Sequence, residues 1–300
     1  MTLLERRNMT YQEFKEETRQ ALINDFPESD ISFRTRLMNN DKEIDAVDVS
    51  SGSEITNIIY PEYYFSRMND DGMSFSEIYG HMKSDLLKRL ELEGMGAEIL
   101  SDYSRIRDRI VYELVGLDSN IERLKGMPHK EFLDMALVFR VLLSESDPRL
   151  YMTVTNAHAM KWNVTADDLM KDAEENTRKL LPEVIREIED IVGPVPGGGE
   201  GCPKLYVLTN NRSMQGACCM IYENVLMRFS EEVGSDVIIL PSSVHEVILV
   251  PRSEDFSCGE LNDMIVSVNK TELNSEDVLS DHAYIYLRTD NTIRDMSDIA

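Results

Sequence analysis

Tyr11, Phe14, Thr18, Ala21 and Leu22 recur at three- and four-residue intervals, so residues 10–25 read as a helix with one apolar face, which Pro27 ends. The period then changes. Ile31, Phe33, Thr35 and Leu37 alternate with polar residues, as in a half-buried strand, and the turn Asn39-Asn40-Asp41 leads to a hairpin partner over 44–50. Pro61 suits the first position of a helix over 61–69 that carries Tyr63, Tyr64 and Phe65. Ser74-Phe-Ser-Glu77 has the form of a capping box, in which the serine and glutamate side chains satisfy each other's backbone donors. It predicts a helix to about Glu93, with Gly94 and Gly96 punctuating its end.

Beyond residue 100 short apolar runs dominate. The pattern predicts a strand over 109–115, a short helix over 118–125, a buried strand within 131–143, and another strand over 150–155 after the turn Asp147-Pro148. A short helix contains Trp162. A longer one is capped by Thr165 with Asp168 three residues on, and its pattern continues across Pro182, which divides it. Residues 193–203 hold five glycines and three prolines and read as a flexible loop. Strands at 204–209 and 216–221 follow, then a helix capped by Asn224. Strands 237–240 and 244–250 are close enough to pair, and a helix at 259–269 precedes a last strand at 282–287. Strict strand–helix alternation is missing, so the class is α+β, with mixed, largely antiparallel sheet segments and packed helices. An N-terminal αββα-type subdomain over 10–98 and a larger C-terminal α+β domain over 99–300 are expected.

Composition narrows the function classes. The net charge of −24, from 55 acidic and 31 basic residues, opposes direct binding to nucleic-acid backbones and to anionic membrane surfaces. The acids are interspersed with Lys and Arg, as in Glu183-Val-Ile-Arg-Glu-Ile-Glu-Asp190, so solubility accounts for them better than mimicry of a phosphate row. A signal peptide and an 18-residue apolar run are both missing from the sequence, which predicts a cytoplasmic protein; Met9 competes with Met1 as the functional start. Cys202, Cys218, Cys219 and Cys258 form no CxxC pair, and the adjacent pair falls in an expected apolar strand, where cysteines serve as small hydrophobes. His81, His129, His158, His245 and His282 stand in no metal-binding spacing, so no metal is expected. The glycine-rich loop lacks a phosphate-binding pattern and precedes a strand, so no cofactor is expected either.

Candidate chemistry concentrates at Pro241-Ser-Ser-Val-His-Glu246. Ser242 or Ser243 as nucleophile, His245 as base and an acid such as Glu246 as its orienter would form a hydrolase constellation. Against it, no G-x-S-x-G elbow occurs, and a serine two residues from its histidine is an unusual dyad; turn serines and a hydrogen-bonded structural histidine are the plainer reading. A pairing of Cys218 or Cys219 with His245 lacks the electropositive setting that a thiolate needs. Asn210, Arg212 and Ser242 are further polar candidates at strand ends. Tyr60, Tyr63, Tyr64 and Phe65 could form a partner-binding patch, although aromatics at helical spacing more often pack in a core.

The stretch Asn210-Asn-Arg-Ser-Met-Gln-Gly-Ala-Cys-Cys-Met-Ile-Tyr222, Gly234-Ser-Asp236 and Leu240-Pro-Ser-Ser-Val-His-Glu246 with Val247-Ile-Leu-Val250 resemble an uncharacterised bacterial family, domain of unknown function 5688. Ile59-Tyr60, Pro128-His129 with Phe132-Leu133-Asp134-Met135-Ala136, Thr155-Asn156, Trp162, Asn176-Thr177 and Leu279-Ser280-Asp281 extend the likeness over about residues 10–290. The resemblance implies one family-length unit from an anaerobic Gram-positive bacterium, and it implies no activity. The expected role is therefore protein binding or regulation through an acidic surface. The rivals are a hydrolase centred on Ser243 and His245 and, third, an acidic nucleic-acid mimic. The first two are separated by geometry: an enzyme needs the serine and imidazole within hydrogen-bond reach, beside a pocket and an orienting carboxylate.

Overall fold

Thr10 opens helix α1 (Tyr11–Asp25), because its hydroxyl accepts the Glu13 amide while the Glu13 carboxylate accepts the amide of Thr10 at 2.9 Å. The computed structural model describes residues 9–50, 57–144, 150–193, 204–253 and 257–299, with the backbone course alone over 91–98. The expected flexible loop lies, after Gly193, outside the described residues. The chain divides into two compact units, Met1–Met38 with Glu43–Asp102, and Asn39–Lys42 with Tyr103–Ala300.

In the first unit β1 (Asp30–Leu37) and β2 (Glu43–Ser50) pair antiparallel, with Phe33 opposite Val47, and β3 (Asn57–Ile59) pairs with β2. The third strand escapes a pattern reading because three residues are too few to set a period. The helices α2 (Pro61–Asp70) and α3 (Phe75–Ser101) follow. Phe14, Leu22, Val47, Val49, Ile59, Met68, Ile78, Met82 and Leu86 form its core. Contrary to the sequence expectation, α3 runs through Gly94 and Gly96. Each interior glycine costs about 1 kcal/mol relative to alanine, which a 27-residue helix tolerates. Tyr64 and Phe65 pack against the core, as helical spacing favours, whereas Tyr63 is exposed.

The second unit begins with α4 (Tyr103–Ile106) and β4 (Ile110–Gly116), then α5 (Ile121–Leu124), β5 (His129–Phe132), β6 (Met135–Leu142) and β7 (Tyr151–Thr153). β6 pairs with β4 on one side and with β5 and β7 on the other. The buried strand expected within 131–143 is β6, and β5 precedes it in a hairpin turned at Leu133 with its φ of +55°. Glu113 and Arg140 form a buried diagonal ion pair across β4 and β6, at 2.6 Å, with the guanidinium over the Tyr151 ring. Two more helices follow, α6 (Asn156–Trp162) and α7 (Ala166–Leu180). α7 shields the open edge of β4: Thr177 Oγ1 accepts the Tyr112 amide at 3.1 Å and the Asn176 side chain donates to the Ile110 carbonyl at 3.1 Å.

The remaining elements are β8 (Glu183–Glu187), α8 (Ile188–Val192), β9 (Tyr206–Asn210), α9 (Val225–Val233), β10 (Val237–Pro241), β11 (Val247–Pro251), α10 (Cys258–Thr271), β12 (Tyr284–Leu287) and β13 (Thr292–Asp295). The strands form an antiparallel sheet in the order β13-β12-β10-β11-β9-β8. With three antiparallel sheets and packed helices among the described residues the fold is α+β, as the sequence predicts.

Three local expectations are corrected. The chain after Pro182 is a strand paired with β9, because proline biases the preceding Leu181 away from helix and Asn211 bonds the Pro182 carbonyl. Gly216–Ile221 is a 3-10 helix whose first amides bond the carbonyls of His245 and Val244, so it is bound to a neighbouring connection and not to a sheet. Asn224 precedes α9 in the left-handed region, φ +64°, and its side chain caps nothing.

Residues 39–42 belong to the second unit through polar contacts. The Asn39 and Asn40 amides donate to the Glu276, Ser275 and Val278 carbonyls, and the Asp41 carboxylate accepts the Glu122 and Arg123 amides at the start of α5, both at 2.9 Å. Asn40 and Asp41 hold positive φ, a conformation that short polar side chains tolerate.

Candidate functional site

β9 delivers Thr209 and Asn210, both buried, to its C-terminal end. The Asn210 side chain accepts the Arg212 amide at 2.9 Å and donates to the Met214 carbonyl at 2.7 Å, folding residues 210–214 around itself. Ser213 and Gln215 take positive φ, 51° and 53°, within this turn. Gly216 follows, packed so closely that an added Cβ would stand 2.6 Å from the Asn210 nitrogen and 2.7 Å from the His245 oxygen.

The β10–β11 connection meets this turn. The His245 carbonyl accepts Thr209 Oγ1 at 2.7 Å and the Gly216 amide at 3.0 Å. Its imidazole is engaged at both nitrogens: Nδ1 accepts the Gln215 amide at 3.1 Å, and Nε2 faces Asp277 Oδ1 at 3.2 Å. An Nδ1 that accepts carries no proton, so the proton sits on Nε2 and is donated to Asp277. Ser243 is buried. Its hydroxyl accepts the His245 backbone amide at 3.0 Å, its own amide donates to the Glu246 carbonyl at 3.1 Å, and Val244 donates to the Asp277 carbonyl at 2.8 Å.

Ser243, His245 and Asn210 thus share one network, but the serine hydroxyl meets the histidine main chain and not its ring. The carboxylate beside the ring is Asp277; Glu246 contributes its carbonyl to Ser243. Ser242 is half-buried and Arg212 exposed at the rim. Thr209, Gln215 and Asp277 were not singled out from the sequence. A lone aspartate 32 residues beyond the histidine carries no pattern that could have found it.

A second turn of the same form lies at Ser280-Asp281-His282, where the His282 amide donates to Ser280 Oγ at 3.0 Å. Asp134, in the β5–β6 turn, accepts Ser280 Oγ at 2.7 Å and the Tyr284 hydroxyl at 2.5 Å, and faces His282 Nδ1 at 3.1 Å. Burial, then the Asp134 charge, drives the Tyr284 phenol well above its ordinary range. The His282 ring is half-exposed and differs from that of His245, which is held on both sides. The repeated Ser-x-His spacing is the signal that sequence reading could have used here.

Cys218 and Cys219 lie fully buried in the 3-10 segment. The hydrogen bond with Cys219, then burial, pushes the Cys218 thiol well above its usual range, so it stays protonated. Among the described residues no group of three or more His, Cys, Asp and Glu is placed to hold a metal ion, and no helix is long and apolar enough to cross a membrane. Two surface concavities of 190 and 350 Å³ are lined by other residues, and neither includes Ser243, His245 or His282.

These features define an α+β protein in which a polar network joins the strand ends of a six-stranded antiparallel sheet to neighbouring turns. The model of a family of unknown function, DUF5688, matches residues 11–288, and the chain belongs to that family. No curated protein and no solved structure matches it.

Proposed function

We propose that the protein is a bacterial, cytoplasmic binding or regulatory component that acts through contacts with another protein, and not a hydrolase working at residues 242–246. The commitment of His245 carries this reading. A general base needs a ring nitrogen facing the nucleophile at about 2.6–3.2 Å; here Nδ1 is occupied by an amide, Nε2 by Asp277, and the Ser243 hydroxyl by a backbone donor. The arrangement supports a brace for strand ends. The net charge of −24 favours a cationic partner face, attracted over about 8 Å at physiological salt.

The test pairs two measurements on the full chain. Tagged protein is used to capture partners from its host's lysate at low and moderate salt, and purified protein is assayed on ester and amide panels beside Ser243→Ala and His245→Ala. Near-stoichiometric recovery of one protein, with no turnover sensitive to either substitution, is expected. Turnover that Ser243→Ala abolishes would overturn the reading.

A further inference from the structure

We propose that β1 is a self-association surface, on which two copies of this chain pair antiparallel and join their three-stranded sheets into one. The inference stands apart from the proposed partner binding, since a second copy supplies every contact it needs. β2 bonds β1 on one side only; on the other, the backbone amides and carbonyls of β1 have no hydrogen-bond partner among the described residues. At eight residues β1 is the longest edge strand among them. The seven-residue edge of β4, by contrast, is shielded by α7.

Proteins protect edge strands by shortness, proline, a bulge or charges of one sign. β1 contains no proline, and its register with β2 is unbroken from Asp30 opposite Ser50 to Leu37 opposite Glu43. Its charges are sorted by position. Asp30, exposed and without an ion-pair partner among the described residues, opens the strand, and Arg34 and Arg36 lie near its end. These three share one face with Ser32, the face on which both arginines meet Asp48 of β2, at 3.4 and 2.7 Å. Asp48 is buried and takes three bonds from Arg36, so one carboxylate serves two guanidinium groups and the end of the strand keeps a surplus positive charge. A strand negative at its start and positive at its end complements itself when run antiparallel.

The faces fix the register. Opposed residues of an antiparallel pair lie on the same side of the sheet, so a two-fold axis pairs only residues of like parity. An axis at Phe33 overlaps residues 30–36 and sets Asp30 of each copy opposite Arg36 of the other, Ser32 opposite Arg34, and Phe33 opposite Phe33. An axis at Arg34 would set two guanidinium groups against each other, and one at Ser32 would shorten the overlap. Room for a neighbouring strand exists on both faces. Arg34 is 65% exposed on one, and Thr35 and Leu37 are exposed on the other. The net charge of −24 on each copy does not forbid the contact, because charges farther apart than about 8 Å are largely screened at physiological salt. A single strand pair buries little surface, which places the dimer among weak, reversible associations.

Sedimentation of the full chain at concentrations up to about 200 µM, in about 0.15 M salt, tests the pairing. A reversible monomer–dimer equilibrium with a Kd of about 100 µM or tighter is expected. Asp30→Lys sets like charges opposite each other at two symmetric places and should weaken the dimer by about tenfold or more. Asp30 is exposed, so the variant should keep the wild-type circular dichroism and unfolding midpoint. Asp263→Lys makes the same change in net charge at an exposed position of α10 and should not weaken the dimer. Cysteine cross-linking reads the register. An equimolar mixture of Ser32→Cys and Arg34→Cys chains should gain a disulfide-linked dimer that neither variant forms alone, because these positions face each other at about 4.5–5.5 Å between Cα atoms. A monomer at every concentration, a dimer that Asp30→Lys leaves unchanged or tightens, or cross-linking of either variant alone as strong as that of the mixture would overturn the proposal.

Discussion

Gly216 illustrates how single atoms fix the polar network around His245. Its missing side chain lets Thr209, Asn210 and His245 converge, and two of the atoms an added Cβ would meet belong to backbone that cannot swing aside. Gly216→Ala should therefore destabilise the protein by about 2 kcal/mol or more, the range of overpacked and network-breaking substitutions. Chemical denaturation would show it as a lower midpoint at unchanged slope. An effect within about 0.5 kcal/mol would mean that the turn relaxes at little cost. The site was only partly legible at this scale. Pro241-Ser-Ser-Val-His-Glu246 announces a turn, and Asn210 a strand end, but hydrogen-bond direction decides whether a serine and a histidine make a dyad. Ser243 accepts from the main chain of His245, a fact that residue identities do not encode. Asp277 and Asp134 come to the two histidines through tertiary folding alone.

Elements were readable where capping chemistry and period agree. Thr10, Ser74 and Thr165 each form the capping box their spacing implies, and the helices begin there. Elements were misread where only composition spoke: Gly-Ala-Cys-Cys-Met-Ile is apolar enough for a strand, yet tertiary hydrogen bonds wind it into a 3-10 helix. α6 has an unusual box with histidine in the third position. His158 Nδ1 accepts the Thr155 amide at 3.1 Å, and the ring stacks on Trp162 with centroids 5.5 Å apart. Burial lowers its pKa below the ordinary histidine value of 6.5. In acid the unfolded chain then binds the proton more readily than the folded one, so stability is complete above the unfolded value and declines as pH falls through the folded one. Denaturation midpoints at about pH 7.5 and about pH 5.5 should diverge more for the wild type than for His158→Gln, whose amide can cap but not titrate. Equal divergence would assign the acid sensitivity to other groups.

Across the whole molecule, 24 acidic side chains have no basic counterpart, and that imbalance makes a prediction of definite sign. Many of the ion pairs join exposed or half-exposed groups, such as Arg67–Asp71 and Lys125–Glu122, and exposed pairs contribute at most about 1 kcal/mol each. Salt weakens those pairs, but it also screens repulsion among the excess carboxylates, which acts over many more charge pairs and disfavours the compact state. Repulsion should win. Raising sodium chloride from about 0.05 to about 0.5 M shortens the screening length from roughly 14 to roughly 4 Å, less than the spacing of most surface charges. The calorimetric midpoint should rise, by about 2–4 °C for each kcal/mol of repulsion removed in a chain of this size. A falling midpoint would show that the pairs outweigh the excess. It would also weaken the case for a cationic partner, because the same unbalanced field that salt quenches is what would draw that partner in.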